Sequence, residues 1–445
     1  MTCKTTSFDC IVIGGGISGL SCAIACVNEG LSCAVITSGM GCLHFSSGSI
    51  DLLGYHPGRT PVIDPFEALP SFIKAHKDHP YAACGTDLIE EALFFIQRQV
   101  EKEGLLLYAD SRSNHFIVTA LGTLKPTFFS LKSVYGDDIK HAFENKQSIA
   151  MLNFNGFRDF HPELAAENLK KNDMFKDCNI TTGTIDLYEP YVQAGCPGEI
   201  KTMDISRVLD GEKNLEAIAS QIKDAAKGAK IACIPAFAGI KNYNHIHKTL
   251  CRLTDMSIYE IPTLPPSIIG MRLDEALKSR FVHLGGIIIA GDRVNGGTIS
   301  KGKLDHIHTQ NYEDTNLSAP FYVLATGSFI SNGLTCDYKT VKEPVFDLFV
   351  DYPEKRDQWY SPSFFHHLSH PFLEFGVKTN SLFNPFTRSG EPVENLFCTG
   401  SVLANYNPIQ EATGCGVAIT SGYFAAKQII HALGPGKMAD YDKQV

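Results

Sequence analysis

No run of about eighteen apolar residues occurs anywhere in the 445-residue chain, so the sequence predicts no bilayer-spanning helix. Among its 14 cysteines no two stand as a C-x-x-C pair, and reduced thiols are expected rather than a zinc or iron–sulfur set. Positive charge is not in excess. Lys and Arg number 39 against 48 Asp and Glu, a net charge of −9 that argues against a general nucleic-acid binder. The first ten residues, MTCKTTSFDC, hold no apolar core of the kind a signal peptide needs, so none is expected. No G-x-S-x-G elbow surrounds any of the loop serines, which removes the usual sign of a serine nucleophile. What remains is ordinary globular composition, 44% hydrophobic and 20% charged, long enough for two domains or for one with a large insertion.

The strongest positive signal is FDCIVIGGGISGLSCAIACVNEGLSCAVIT, Phe8 to Thr37. An apolar strand, Cys10 to Ile13, runs into Gly14-Gly15-Gly16-Ile17-Ser18-Gly19, a small-residue helix follows, and a second strand spans Leu31 to Thr37. This is the G-x-G-x-x-G nucleotide-binding fingerprint in its strand–turn–helix setting. Gly14 permits the tight turn, Gly16 lets the backbone approach a pyrophosphate, and Gly19 lets helix and strand pack closely. The helix start turns free N–H groups toward an anion. An acid that would grip a ribose hydroxyl is missing: Thr37 and Ser38 stand where it belongs. Cys22 and Cys26, four apart on the helix, read as small packing residues.

Further along, the Gly- and Ser-rich loop from Gly41 to Asp51 suits backbone packed against a ligand, and helical spacing covers about 64–103. Residues 108–265 alternate strand runs (148–154, 230–235) with helical runs (162–171, 215–227), predicting a second α/β unit. A helix over 268–280 precedes the run Gly285 to Ile289. Asn295-Gly296-Gly297 predicts a turn before strand runs around 298–309. The strand Phe321 to Leu324 ends on Ala325-Thr326-Gly327, and Asn395-Leu396-Phe397-Cys398-Thr399-Gly400-Ser401 ends the same way. A last helix follows Gly414-Cys415-Gly416, over about 417–433.

Three separated nucleotide-binding segments of this kind resemble the two-dinucleotide-binding-domain flavoproteins. The fold implied is α/β: a Rossmann-like FAD/NAD(P)-binding domain of the glutathione-reductase type with an inserted α/β substrate or cap domain. Its flavin-binding parts would be 1–107, 266–328 and 395–445, and its insertions 108–265 and 329–394. In that superfamily an Asp usually follows the glycine held here by Gly400, so Ser401 is a weaker, neutral partner for the ribityl chain. The helix after Gly414, Cys415 and Gly416 would place its N-terminal dipole near a reduced flavin. Cofactor contacts are therefore expected from Gly14, Gly16, Ile17, Ser18, Gly19, Thr37, Ser38, Ala325, Thr326, Gly327, Gly400, Ser401, Gly414, Cys415 and Gly416. From the loop, His44, Phe45, Ser46, Ser47 and Gly48 join them. His44 is either a flavin hydrogen bond or proton relay, or a histidine satisfied by backbone carbonyls. Arg207, Arg272, Arg280 and Lys125 are candidate phosphate ligands. His366, His367 and His370 do not match a zinc motif, and no metal is expected. Ser267 is a candidate helix N-cap.

The segments LHFSSGSIDLL, LGTL (Leu121 to Leu124), IPTLPPSIIGMRL, VLATGSFISNGL, WYSPSFF and ENLFCTGSVLANYNPIQEATGCGVA extend the likeness over nearly the whole chain. They resemble the B-subunit family of anaerobic glycerol-3-phosphate dehydrogenases. That resemblance implies a flavin-binding subunit, with FMN or FAD, of a respiratory enzyme that oxidises sn-glycerol 3-phosphate to dihydroxyacetone phosphate. It also implies that the A subunit is a second flavoprotein and that iron–sulfur centres and the membrane anchor lie on the C subunit, with electrons passing to a quinone. The chain would then sit in the cytoplasm, held to the inner face of the membrane by its partners, with His44 as the catalytic candidate. Two other readings stay open: a stand-alone oxidoreductase of fumarate-reductase-like type, and a non-catalytic scaffold that docks the A subunit. Stoichiometric flavin in the isolated chain separates the scaffold from the other two.

Overall fold

Four short apolar runs, CIVI, CAVIT, FYVL and LFC, are almost completely buried, as strands covered on both faces must be. A computed structural model describes residues 4–186, 200–211, 214–311 and 315–434; Cys3 and Cys196 lie outside them. The chain divides into two units: Met1–Cys42, Asp51–Glu103 and Ala276–Val445 form the first, Leu43–Ile50 and Gly104–Glu275 the second.

The first unit is built on a five-stranded parallel sheet in the order Ile287–Ala290, Cys33–Thr37, Cys10–Ile13, Phe321–Leu324, Leu396–Cys398. This is the nucleotide-binding topology that the split motifs imply, and it meets the expected α/β class. The carboxyl ends of Cys10–Ile13, Phe321–Leu324 and Leu396–Cys398 run directly into the three glycine turns. Helix Ile17–Asn28 crosses the C-terminal helix Gly414–Leu433 on this sheet, and both are buried along most of their length. Their approach depends on a missing side chain: a Cβ on Gly422 would collide with the carbonyl of Ser18. Cys10, Cys22, Cys26 and Cys33 are free thiols in this core, each at most 2% exposed.

A second, four-stranded sheet of this unit runs Lys4–Ser7, Thr315–Ser318, Lys303–Thr309, Val294–Ser300. Here the turn expected at Asn295-Gly296-Gly297 is corrected. Those residues lie inside Val294–Ser300, where a Cβ on Gly297 would strike the carbonyl of His306 across the pair. The reversal falls instead at Lys301-Gly302, both with positive φ (47° and 74°), the requirement of a two-residue hairpin turn.

The second unit has its own four-stranded parallel sheet, Ser257–Ile261, Ile231–Pro235, Ile149–Phe154, Ile180–Ile185, with helices Leu215–Ala226 and Tyr243–Thr254 among its connections. A buried ion pair pins it. Arg272 sets two nitrogens on the Glu260 carboxylate, at 2.5 and 2.9 Å, and gives its Nε to the carbonyl of Gly239 at 2.8 Å. Glu260 also accepts the N–H groups of Phe237 and Ala238. Burial alone pushes the Glu260 carboxyl up, but the adjoining guanidinium outweighs it and holds the pKa at about 2.

Candidate functional site

In the first unit the candidate cofactor contacts are mostly backbone. Gly14 takes φ +117°, and a Cβ there would hit the carbonyl of Ala325, so the first glycine turn and the Ala325-Thr326-Gly327 turn touch. A Cβ on Gly19 would meet the Gly14 carbonyl and the Val12 side chain, as the fingerprint requires. Gly16 differs: nothing lies within 4 Å of where its Cβ would be. It caps helix Ile17–Asn28 without any side-chain hydrogen bond, and the first intrahelical bond is Leu20 N–H to Gly16 carbonyl at 2.9 Å. The N–H groups of Ile17, Ser18 and Gly19 therefore have no carbonyl within the helix, which is what an anion-binding helix start needs.

The other turns close around the same helix start. A Cβ on Gly400 would contact the Ser18 side chain, and one on Gly327 would reach Ser331 and come within 3.5 Å of Ser401 Oγ. Gly400 gives its N–H to Ser421 Oγ at 2.9 Å. Ser18 Oγ, Thr326 Oγ1 and Thr399 Oγ1 are buried without a hydrogen-bond partner, three polar atoms whose burial is costly unless a ligand supplies one. These features fit a flavin dinucleotide. Two of the expected contacts have other employment: Thr37 Oγ1 donates to the Gly39 carbonyl at 2.9 Å and Gly416 N–H donates to the Asp51 carbonyl at 2.8 Å; Ser38 is exposed. Gly414 and Cys415 are half-buried at the start of the last helix, which begins at Gly414 rather than Val417.

The loop residues belong to the second unit, and there side chains dominate. His44, in the 3₁₀ turn Cys42–Phe45, is 8% exposed, and its Nε2 lies 2.8 Å from Asp274 Oδ2 on helix Ile268–His283. With the carboxylate receiving the Nε2 proton, Nδ1 carries the lone pair, and Nδ1 is buried with no hydrogen-bond partner. The His44 carbonyl accepts the N–H of Ser267, and Ser267 caps the helix by accepting Gly270 N–H on its Oγ at 3.2 Å. A Cβ on Gly270 would overlap the Leu43 carbonyl, so loop and helix are fitted closely. Ser46 Oγ donates to the Leu43 carbonyl at 2.9 Å and accepts Gly48 N–H at 3.1 Å. Gly48 takes φ +70° against Ile269, and Phe45 is 59% exposed. Ser47 Oγ lies 2.6 Å from Ser49 Oγ, and Lys125 Nζ donates to both, at 3.3 and 3.0 Å.

Asp274, the partner of His44, is the candidate that sequence reasoning missed. It stands 230 positions from His44 beside a second acid, Glu275, with no local signal separating the two. Of the candidate phosphate ligands, Arg272 is corrected to a buried structural residue. Arg280 is engaged by Gln99 at 2.8 Å and approaches Glu103, and Arg207 is exposed on helix Thr202–Leu209. His366 and His370 accept backbone N–H groups, from Leu368 at 3.3 Å and Ser361 at 3.1 Å.

The FAD binding domain family model matches residues 9–417. The B subunit of anaerobic glycerol-3-phosphate dehydrogenase from Aliivibrio fischeri (strain MJ11) is 38% identical over 442 residues, covering 96% of both chains. The chain belongs to the anaerobic glycerol-3-phosphate dehydrogenase B-subunit family. A Glaesserella parasuis member is 33% identical over 96% of this chain and all of its own length. Of the two flavins expected, FAD is the one that the family supports. Relatives in this B-subunit family are named as one part of a multi-subunit enzyme. Among solved structures, a 3-ketosteroid delta1-dehydrogenase from Sterolibacterium denitrificans matches at 13% identity and a TM-score of 0.43, covering 96% of this chain and 100% of its own, too slight a likeness to bear on function. No helix among the described residues is long and apolar enough to cross a membrane.

Proposed function

We propose that the chain is the flavin-carrying B subunit of a respiratory dehydrogenase that oxidises sn-glycerol 3-phosphate to dihydroxyacetone phosphate. Its partners are the A and C subunits, through which electrons reach a quinone and the chain is held at the inner face of the membrane. The observation that carries this reading is the cradle at Gly16: free helical N–H groups, open space and three unpartnered hydroxyls, in a chain similar over 96% of its length to a subunit named for that reaction.

FAD, when bound, supplies the acceptor for the hydride that leaves C2 of the alcohol. The groups that would hold it are the N–H groups of Ile17, Ser18 and Gly19, suited to its pyrophosphate, with Ser18, Thr326, Thr399 and Ser401 offering hydroxyls. His44 is the catalytic residue: Nδ1 accepts the proton of the C2 hydroxyl, and Asp274 fixes the tautomer and the ring orientation through Nε2. Burial excludes water from this exchange, since His44 and Asp274 are 8% and 4% exposed.

A second reading, a scaffold without cofactor, draws on Thr37 and Ser401 standing where acids are expected. Acid extraction of the purified chain with mass identification of the released compound decides between them. Stoichiometric FAD supports the dehydrogenase. A protein that releases no flavin, even after incubation with FAD and with FMN, contradicts it.

A further inference from the structure

We propose that the Tyr406 hydroxyl donates a hydrogen bond to the isoalloxazine ring of bound FAD, beside the start of the last helix; the proposal rests on the flavin reading above. Tyr406 is 3% exposed, and its hydroxyl is buried with no hydrogen-bond partner. The other buried phenols described in the first unit are engaged. Tyr81 donates to the Leu52 carbonyl at 2.8 Å, Tyr322 to the Asp305 carbonyl at 2.9 Å and Tyr423 to the Glu91 carboxylate at 2.7 Å. A phenol left unpaired inside a protein is costly, and a bound acceptor removes that cost.

The loop that carries Tyr406 is fixed on both sides of it. Asn405 gives its N–H to the Glu374 carbonyl at 3.0 Å, and Asn407 gives its N–H to Glu411 Oε1 at 3.1 Å. Glu411 is anchored in turn: its Oε2 accepts the Thr413 hydroxyl at 2.9 Å and lies 3.2 Å from His79 Nε2. The His79 ring packs edge-on against the Tyr406 ring, with centroids 5.7 Å apart. The polar groups of this loop thus satisfy one another and leave the phenol aside.

The hydroxyl faces the cofactor side of the unit. Burial and then Glu411, Cys415 and Cys42 push the phenol up, so it keeps its proton and serves as a donor. Cys415 is the second residue of helix Gly414–Leu433. Cys42 follows Gly41, where a Cβ would come within 3.3 Å of Gly16 Cα in the FAD cradle. The pyrophosphate has its own donors in the N–H groups of Ile17, Ser18 and Gly19, which leaves the ring system to Tyr406. A helix N-terminus favours negative charge, and the ring gains such charge on reduction. A hydroxyl donor there is worth more to the reduced cofactor than to the oxidised one.

The test compares full-length wild type and Tyr406→Phe in FAD titration, in equilibration of the bound flavin with a reference redox dye, and in melting with and without FAD. Tyr406→Phe is expected to raise the FAD dissociation constant by about 5-fold, the effect of one lost neutral hydrogen bond, and to shift the dye equilibrium by about 5-fold toward oxidised flavin. Without FAD the variant should melt at or above the wild-type temperature, because its lost hydroxyl had no partner. A variant that fails to fold, or melts lower without FAD, overturns the proposal, since the hydroxyl is then structural. Weaker FAD binding with an unmoved dye equilibrium overturns the assignment to the ring. Wild type that binds no FAD fails the flavin reading itself, whereas wild type that binds FAD no more tightly than Tyr406→Phe, with the same dye equilibrium, fails the tyrosine alone.

Discussion

In the first unit the candidate ligand groups are mostly peptide N–H groups and the bare faces of glycines; in the second they are side chains carried in from distant positions. Gly14, Gly16 and Gly19 span six residues and are placed by the turn they themselves make. His44 and Asp274 are 230 residues apart, and Ser49 and Lys125 are 76 apart. A backbone site is specified by local sterics, so it is written compactly and tolerates almost no substitution. A side-chain site is specified by the sheet and helix that bring its parts together, and its stability depends on the unit beneath. The ion pair of Arg272 with Glu260 is the clearest support of that second kind.

The largest effect should come from breaking that support. Arg272→Met leaves Glu260 charged, buried and unpaired, and is expected to cost the second unit about 3–5 kcal/mol in urea unfolding. Replacing both partners with apolar residues should recover most of it, and no recovery would mean the pair is not what pins the unit. His44→Ala should lower kcat by about 10²–10⁴-fold with flavin content unchanged, the range for a lost general base. Asp274→Asn should produce a smaller fall with KM preserved and a displaced pH profile. Equal flavin loss in either variant would place His44 in cofactor retention instead.

Gly14→Ala attacks the other kind of site. Its φ of +117° and the Ala325 carbonyl leave no room for a methyl group, and about 2–4 kcal/mol of strain and overpacking is expected, with flavin released on purification. A fully flavinylated Gly14→Ala protein would contradict the backbone cradle. The second unit carries a pH effect through a buried histidine. Burial pushes His115 down to about 4 from 6.5, so the folded state prefers the neutral imidazole. Its contribution is complete above pH 6.5 and is lost as the pH falls toward 4, where the unfolded chain binds the proton more readily. Melting temperatures should decline over that window in wild type and decline less in His115→Gln. The smallest change should come from Ser401→Asp, which restores the acid usual in related flavoproteins and should tighten flavin by less than about 10-fold in equilibrium dialysis.

The nucleotide-binding turns were legible because glycine leaves a steric signature: Gly14, Gly16 and Gly19 in that spacing, between a strand and a helix, can build little else. The strands ending at Leu324 and Cys398 were legible for a different reason, since continuous apolar runs mark a sheet covered on both faces. Asn295-Gly296-Gly297 misled, because a glycine that makes way for a neighbouring strand has the same spelling as one that makes a turn. Asp274 was hidden, because a helix offers acids at many positions and only the fold selects the one that faces His44. Arg272 looked like a phosphate ligand for the converse reason: a cation's partner, Glu260 on the strand before it, is invisible until the chain is folded.

Anaerobic titration of the isolated, FAD-loaded chain with sn-glycerol 3-phosphate, followed at the flavin absorption near 450 nm, tests the central claim most directly. The flavin is expected to bleach to one equivalent with release of dihydroxyacetone phosphate, much more slowly in His44→Ala. A chain that holds FAD but stays oxidised in the presence of excess substrate would contradict it.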